Sequence, residues 1–294
     1  MRAFGCAALL TMALSVPLAA QDQDSLAVSQ FEQSLHYETG SIEIGDDLAT
    51  LAIPDEFRFL GPEDSRRLLV DGWGNPPREA PLGMILPSAL SPMSEEGWAV
   101  VLTYEEDGYV DDEEAGSIDY TELLREMQKD IREESEVRTE AGYEPIELVG
   151  WAAPPHYDAS THKLYWAQEL KFGDTDVNTL NYNIRILGRR GVLVLNAVAG
   201  MSELAPVESG MQDVMAFVNF NDGHRYTDFV PGTDKVAAYG IGALVAGKVA
   251  AKVGLFKLLL AGLLAAKKLV VVAVVAIAAF LRRLMGGKAV EETP

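Results

Sequence analysis

Charge and hydropathy both reverse near Asp234, so no single water-soluble fold accounts for the whole chain. Residues 1–234 carry 15 Lys/Arg against 42 Asp/Glu, whereas residues 235–294 carry nine against two, Glu291 and Glu292. The second stretch is built from Gly, Ala, Val and Leu. It ends in an unbroken apolar run from Leu269 to Leu281, followed by Arg282 and Arg283. An acidic body joined to a basic, apolar membrane tail is the organisation this pattern predicts.

The run Leu269–Leu281 is about 20 Å long at about 1.5 Å per residue, short of the roughly 30 Å hydrocarbon core. A spanning helix therefore extends back to Leu258 and carries Lys267 and Lys268 with it, each costing about 2.5–3.5 kcal/mol at mid-bilayer. Upstream, Gly240, Gly247 and Gly254 recur every seven residues with Ala243 and Ala250 between them. Such a stripe suits close helix approach in lipid, against envelope proteins or a second copy of the chain. The sequence is thus divided into an interfacial or membrane helix over 235–257, a transmembrane helix over 258–281 and a charged tail over 282–294. A helical hairpin is the alternative. With one span, the positive charges after Leu281 place the C-terminus in the cytoplasm.

At the other end, Arg2, the apolar run Ala7–Val16 and the small residues Ala19 and Ala20 read as a signal peptide over 1–20, with an uncleaved anchor as the alternative. Cys6 is the only cysteine and lies ahead of that cleavage point, so the mature body is expected to lack disulfides and thiol chemistry. Together these features predict a bacterial inner-membrane protein with its body in the periplasm and membrane lipid as a partner.

Residues 21–39 read as a polar leader and 40–234 as the body. Ser41–Ile53 alternates around Gly45-Asp46-Asp47 as a hairpin does. Pro62–Asp71 reads as a short helix, and Leu82–Leu86 and Trp98–Tyr104 as strands. Ile118–Glu140 has helical periodicity. Ile146–Trp151, Lys163–Phe172, Thr179–Leu187 and Val192–Val198 follow as strands, with a turn at Gly188-Arg189-Arg190-Gly191, and Leu204–Phe217 closes as a helix. Local turns between strands predict an α+β fold, an antiparallel sheet packed with helices.

Several segments also carry a family resemblance. Asp71-Gly-Trp-Gly-Asn-Pro-Pro77, Tyr104-Glu-Glu-Asp-Gly-Tyr-Val110, Leu180–Asn196 and Asp234-Lys-Val-Ala-Ala-Tyr-Gly240 resemble a bacterial family of predicted membrane-anchored proteins of unknown function. The resemblance runs from about Gly40 to Leu281. It implies a membrane anchor and brings no catalytic residues. The order of elements is similar to the sandwich domain of the photosystem II extrinsic protein PsbP, an analogy of fold that licenses no function.

Three sets of residues are candidates for chemistry. The run Tyr104–Glu114 holds the densest carboxylates. With Gly108 as sixth position, Glu105, Asp107, Asp111 and Glu114 fall near ligand positions of a calcium loop, although Thr103 occupies the first position. A solvated acidic loop is the other reading. His156 and His162 flank a turn and, with Asp158, have the composition of a metal site or of an ordinary hairpin loop. Trp73-Gly-Asn75-Pro-Pro and Trp151-Ala-Ala-Pro-Pro, together with Tyr109, offer aromatic and polyproline-like ledges for binding, or plugs at the edge of the core. Gly242–Lys248 matches a phosphate loop up to its lysine, but Val249 replaces the hydroxyl residue and no strand precedes it. No HExxH, GxSxG or Ser-x-x-Lys motif occurs, and no cofactor is predicted.

The mature body, with 14 basic and 42 acidic side chains, carries a difference of −28, which disfavours nucleic acid as a partner and repels anionic headgroups. The favoured function is a non-enzymatic envelope domain that binds protein or aids assembly. The rival is an anchored hydrolase or metal-dependent enzyme using the acidic loop or the His156/His162 loop.

Overall fold

The computed structural model describes residues 18–247 apart from Pro76, Arg78, Glu95 and Ala141, with backbone only over 18–25. Residues 1–17 of the expected signal peptide, the expected span 258–281 with Lys267 and Lys268, and Gly254 lie outside the described residues. Among those described, no helix is long and apolar enough to cross a membrane.

Residues up to Leu35 form one unit and residues from His36 onward another. The first contains the helix α1 (Leu18–Gln33). The expected polar leader is therefore helical over much of its length.

The second unit begins with β1 (Tyr37–Glu38), β2 (Gly40–Ile44), β3 (Ala49–Ile53) and β4 (Phe57–Leu60). The β2–β3 turn holds Gly45, Asp46 and Asp47 at positive φ, a conformation that Gly and Asp tolerate best. Helix α2 (Pro62–Arg67) starts on a proline at its first turn and continues as a single π-helical turn over Leu68–Gly72. Then come β5 (Gly83–Pro87), β6 (Val100–Glu105) and the long helix α3 (Tyr120–Glu140). Three hairpin-linked strands and a fourth follow: β7 (Ile146–Asp158), β8 (Lys163–Phe172), β9 (Thr179–Leu187) and β10 (Val192–Gly200). Helix α4 (Leu204–Phe217), strand β11 (Val218–Phe220) and the short helix α5 (Ile241–Ala246) complete the described chain.

The strands form an eight-stranded sheet in the order β1-β4-β5-β6-β10-β9-β8-β7 and a three-stranded sheet in the order β11-β3-β2. Every pairing is antiparallel. The antiparallel α+β fold expected from sequence is thus present.

Each face of the large sheet has its own core. On one face Tyr182, Ile184, Leu193, Leu195, Val100 and Leu102 meet the small sheet (Ile42, Ile44, Leu51) and α4 (Val207, Met211, Val214). On the other, Leu164, Trp166, Leu170, Val192 and Val194 meet Met127 of α3 and Ile241, Leu244 and Val245 of α5. All nine residues of β9 are buried, because the sheet is covered on both sides there. The polar side chains on its second face satisfy one another: Asn196 donates to the side-chain oxygens of Asn181 at 2.6 Å and Asn183 at 3.1 Å. Arg185 lies over the Trp166 ring at 5.0 Å, and burial draws its pKa down to about 10.

The packed body continues past the expected boundary at Asp234. Tyr109 N–H donates to the Lys235 carbonyl and Ala237 N–H to the Tyr109 carbonyl, at 2.9 and 2.8 Å, so that residues 235–237 lie as a strap along the acidic segment. Ile241, Leu244 and Val245 are each no more than 2 % exposed. The stretch 235–247, read from sequence as part of an interfacial or membrane helix, is built into the body wherever it is described. Ile241, Leu244 and Val245 serve the second core of the sheet, with Ala237, Tyr239 and Ala246 packed against it.

Candidate functional site

The segment Asp111–Ser117 and the β7–β8 hairpin are far apart in sequence, and their side chains meet beside the end of the strap. Asp112 is the hub. The Tyr157 hydroxyl donates to its Oδ2 at 2.5 Å, and His162 Nδ1 lies 3.5 Å from the same oxygen and 3.1 Å from the Tyr157 oxygen. Burial works to raise the Asp112 pKa. The hydrogen bond from Tyr157, together with the neighbouring Tyr226 hydroxyl and His162, outweighs it and holds the carboxyl below its ordinary value. Tyr157 is pushed the other way, far above an ordinary phenol, by burial and then by the Asp112 carboxylate. At neutral pH the group is therefore a carboxylate receiving a phenol proton.

His162 adopts φ +54° at the end of the hairpin turn, and its ring stacks on Tyr226 with centroids 4.1 Å apart. The stack continues from Tyr226 to Tyr109 at 4.4 Å and from Tyr109 to Phe229 at 3.9 Å. Tyr226 also donates to the Val110 carbonyl at 3.0 Å. These four rings bind the acidic segment, the hairpin and the 222–230 loop into one block.

Next to the block, Asp112, Ala115, Gly116, Tyr120, Pro155, His156, Tyr157 and Ala159 line an open cleft of about 470 Å³. Tyr120 starts α3 and is locked there by Trp151, whose indole N–H donates to its carbonyl at 3.2 Å. The Tyr120 hydroxyl is buried and has no hydrogen-bond partner among the described residues. Burial, and then Glu114, raise its pKa.

The remaining residues singled out from sequence have separate surroundings. Of the calcium-loop positions, Asp107 accepts from the Tyr239 hydroxyl at 3.1 Å, and Asp111 Oδ1 accepts from the Glu113 amide at 2.9 Å. Glu114 accepts from the Gly242 amide at 3.2 Å, and Glu105 ends β6. Asp107, Asp111 and Glu114 thus point to different partners. Gly108 is present for another reason. It sits at φ +116°, and an added Cβ would lie 2.8 Å from the Lys235 carbonyl oxygen and 2.9 Å from the Ala237 nitrogen. Only glycine admits the strap.

His156 lies within β7, paired with Tyr165 at a ring separation of 5.1 Å, and not in a loop beside His162. Asp158 closes the hairpin turn instead, accepting from Ser160 and Thr161, which hold its pKa near 2. Among the described residues no three of His, Cys, Asp and Glu converge to hold a metal ion.

The two Trp-x-x-Pro-Pro segments serve different places. Trp73 donates to the Pro92 carbonyl at 2.9 Å, while buried Asn75 donates through its side chain to Leu69 at 2.8 Å. Trp151 ties β7 to α3, and the following Pro155 borders the cleft. Tyr109 is enclosed between two rings and is no ledge. Gly240 precedes α5 where an added Cβ would meet Glu114 Oε1 at 2.3 Å, and Gly247 closes the helix at φ +67°. Both described glycines of the stripe thus have local duties on the body. The His224 carbonyl accepts from the Arg189 amide at 2.9 Å, so this histidine is part of the fold.

Asp112, Tyr120 and Tyr157 were not distinguished by the sequence. The only local sign was the acidic run holding Asp112, because its partner Tyr157 is 45 residues away.

A family model described as "Protein of unknown function (DUF2167)" matches residues 36–278. The chain belongs to this family. The match begins at the first residue of the second unit and takes in the strap, α5 and the stretch beyond, so the DUF2167 unit includes more than the acidic body. No curated protein matches the chain. Two solved structures show a partial likeness. The solution structure of PsbP (CyanoP) from Synechocystis sp. PCC 6803 is 10% identical, with a TM-score of 0.33 over 64% of this chain and 93% of that one. LpqN, described as involved in cell envelope biogenesis of Mycobacterium tuberculosis, is 14% identical, with a TM-score of 0.31 over 66% and 96%. Scores of this size carry no argument about the DUF2167 fold or its activity.

Proposed function

We propose that the chain is an anchored envelope protein whose body docks onto another protein or assembly at the outer face of the inner membrane and does not act as an enzyme. The observation behind this reading is the strap. A flexible tether would suffice to keep an enzyme near a membrane, yet residues 235–247 are hydrogen-bonded to Tyr109 and buried through Ile241, Leu244 and Val245. The body is thereby held rigidly up to Gly247, eleven residues before the apolar stretch expected to span the bilayer from Leu258. Packing up to Gly247 shortens the connection and so limits how far a binding surface can stand from the membrane. The excess of acidic side chains would keep that surface clear of anionic headgroups.

The test has three parts on the full-length chain in cells. The mature N-terminus should lie near Gln21, and a reporter fused after Pro294 should be active in the cytoplasm; activity only in the periplasm would replace the single span by a hairpin. Extraction at alkaline pH should leave the protein in the membrane. Photo-crosslinking from exposed Val149 or Val177 should give discrete adducts that vanish when residues 248–294 are deleted. Release at alkaline pH, or the absence of any discrete adduct, would refute the reading.

A further inference from the structure

We propose that the cleft between Asp112 and Tyr120 binds a small organic ammonium group, primary or quaternary, free in solution or on a lipid headgroup. This stands apart from the anchoring reading.

The lining sets the chemistry. Asp112 contributes a carboxylate that its hydrogen bonds keep ionised, while Glu114 and Glu113 lie in the adjoining chain. Among the eight residues bordering the cleft there is no Lys or Arg. The local field thus favours a cation over an anion or a neutral polyol. The walls are aromatic or apolar: Tyr120, Tyr157 and His156 supply ring surface, and Ala115, Pro155 and Ala159 supply aliphatic surface. A cation next to aromatic faces and one carboxylate, with carbon against the rest, is the combination that recognises an alkylammonium.

Two further observations favour an organic cation over a metal ion. Tyr157 and His162 both approach Asp112 Oδ2, which leaves no cluster of three metal-ligating side chains there among the described residues. The Tyr120 ring borders the cleft, and an aromatic face attracts an alkylammonium but offers no ligand to a metal ion. The site is also pre-organised. Asp112 is fixed by Tyr157, Tyr157 lies on β7, and the backbone of Tyr120 is held by Trp151. Little rotamer entropy remains to be lost on binding.

The experiment titrates the full-length protein in neutral detergent with n-butylamine and with choline, using butanol, glycerol and calcium as controls, and observes binding by calorimetry and by tyrosine ring resonances. One amine per chain should bind saturably, with butanol and glycerol at least about tenfold weaker. Asp112→Asn should weaken the amine about tenfold or more. Tyr120→Leu, which removes an aromatic face from the lining, should weaken both n-butylamine and choline about threefold. Glu133→Gln, on the exposed face of α3, should change nothing. Binding of phosphatidylethanolamine added to the micelles, in competition with n-butylamine, would identify the lipid headgroup as the source; its failure to compete would identify a free amine. Amine binding equal to that of butanol, or unchanged in both Asp112→Asn and Tyr120→Leu, would overturn the proposal.

Discussion

Leu244→Ala tests whether the strap and α5 are core or attachment. Leu244 is 2 % exposed and packs in the cluster with Met127, Trp166, Val192 and Ile241. Removing its isobutyl group deletes about 2–2.5 kcal/mol of transfer free energy, and an unfilled cavity raises the typical loss to about 3–5 kcal/mol. A position near the end of the packed chain relaxes more readily than one in a central strand, which puts the expected value near the lower end, about 3 kcal/mol. A fragment of residues 36–247 has a size for which the urea dependence is about 3 kcal/mol per molar, so the midpoint should fall by about 1 M. In a thermal melt the same loss corresponds to about 6–12 °C. The measurement is urea unfolding followed by tryptophan fluorescence, which reports on Trp166 and Trp151 in the same core. A shift of less than about 0.5 kcal/mol is what a surface site gives. That result, or equal midpoints for fragments 36–234 and 36–247, would refute the assignment of α5 to the core.

Further outcomes follow from particular contacts. Gly108→Ala forces a Cβ to 2.8 Å from the Lys235 carbonyl oxygen at φ +116°, and it should cost about 2 kcal/mol or more and speed amide exchange at Tyr109 and Ala237, which hydrogen exchange by mass spectrometry resolves. Asp112 has a folded pKa below its ordinary value of 3.8, so its contribution is complete above that pH and is lost as pH falls through the lower folded value. The gap in urea midpoint between the wild type and Asp112→Asn should accordingly be wide at about pH 6 and narrow progressively as pH falls below that ordinary value. Lys163 is 8 % exposed and donates to the Met215 and Val218 carbonyls and to Asn219. Lys163→Met leaves these acceptors unpaired and should lower stability by about 2–3 kcal/mol in the same assay.

Much of the fold was legible because its signals are local. The periodicity of 118–140 gave α3, and Gly188-Arg189-Arg190-Gly191 gave the β9–β10 turn. The alternation around Gly45-Asp46-Asp47 gave β2–β3. Phe57–Leu60 and Val218–Phe220 were not read as strands, since four and three residues are too few to show a period; each is a strand only because a partner lies beside it. The β7 strand runs on through Pro154 and Pro155 to Asp158, past the point where prolines predicted a turn. It tolerates them by register shifts at the edge of the sheet. The candidate site was scarcely legible. His162 and Asp112 stood in the right segments, but the sequence grouped His162 with His156 and Asp158, and the fold groups it with Asp112, Tyr157 and Tyr226.

By itself the sequence determined the charge reversal, the absence of thiol from the chain beyond Cys6, and the alternating and helical periods that make an antiparallel α+β body. Those properties depend on composition and on neighbours within one turn or one hairpin. Tertiary structure alone decided that the body runs on past Asp234. Ile241, Leu244 and Val245 have the same apolar character as the membrane-like stretch after them, and burial against a sheet leaves no different mark in sequence from burial in lipid. It decided the duties of Gly108 and Gly240 as well, because what a missing Cβ makes room for is a backbone or a carboxylate more than a hundred residues away.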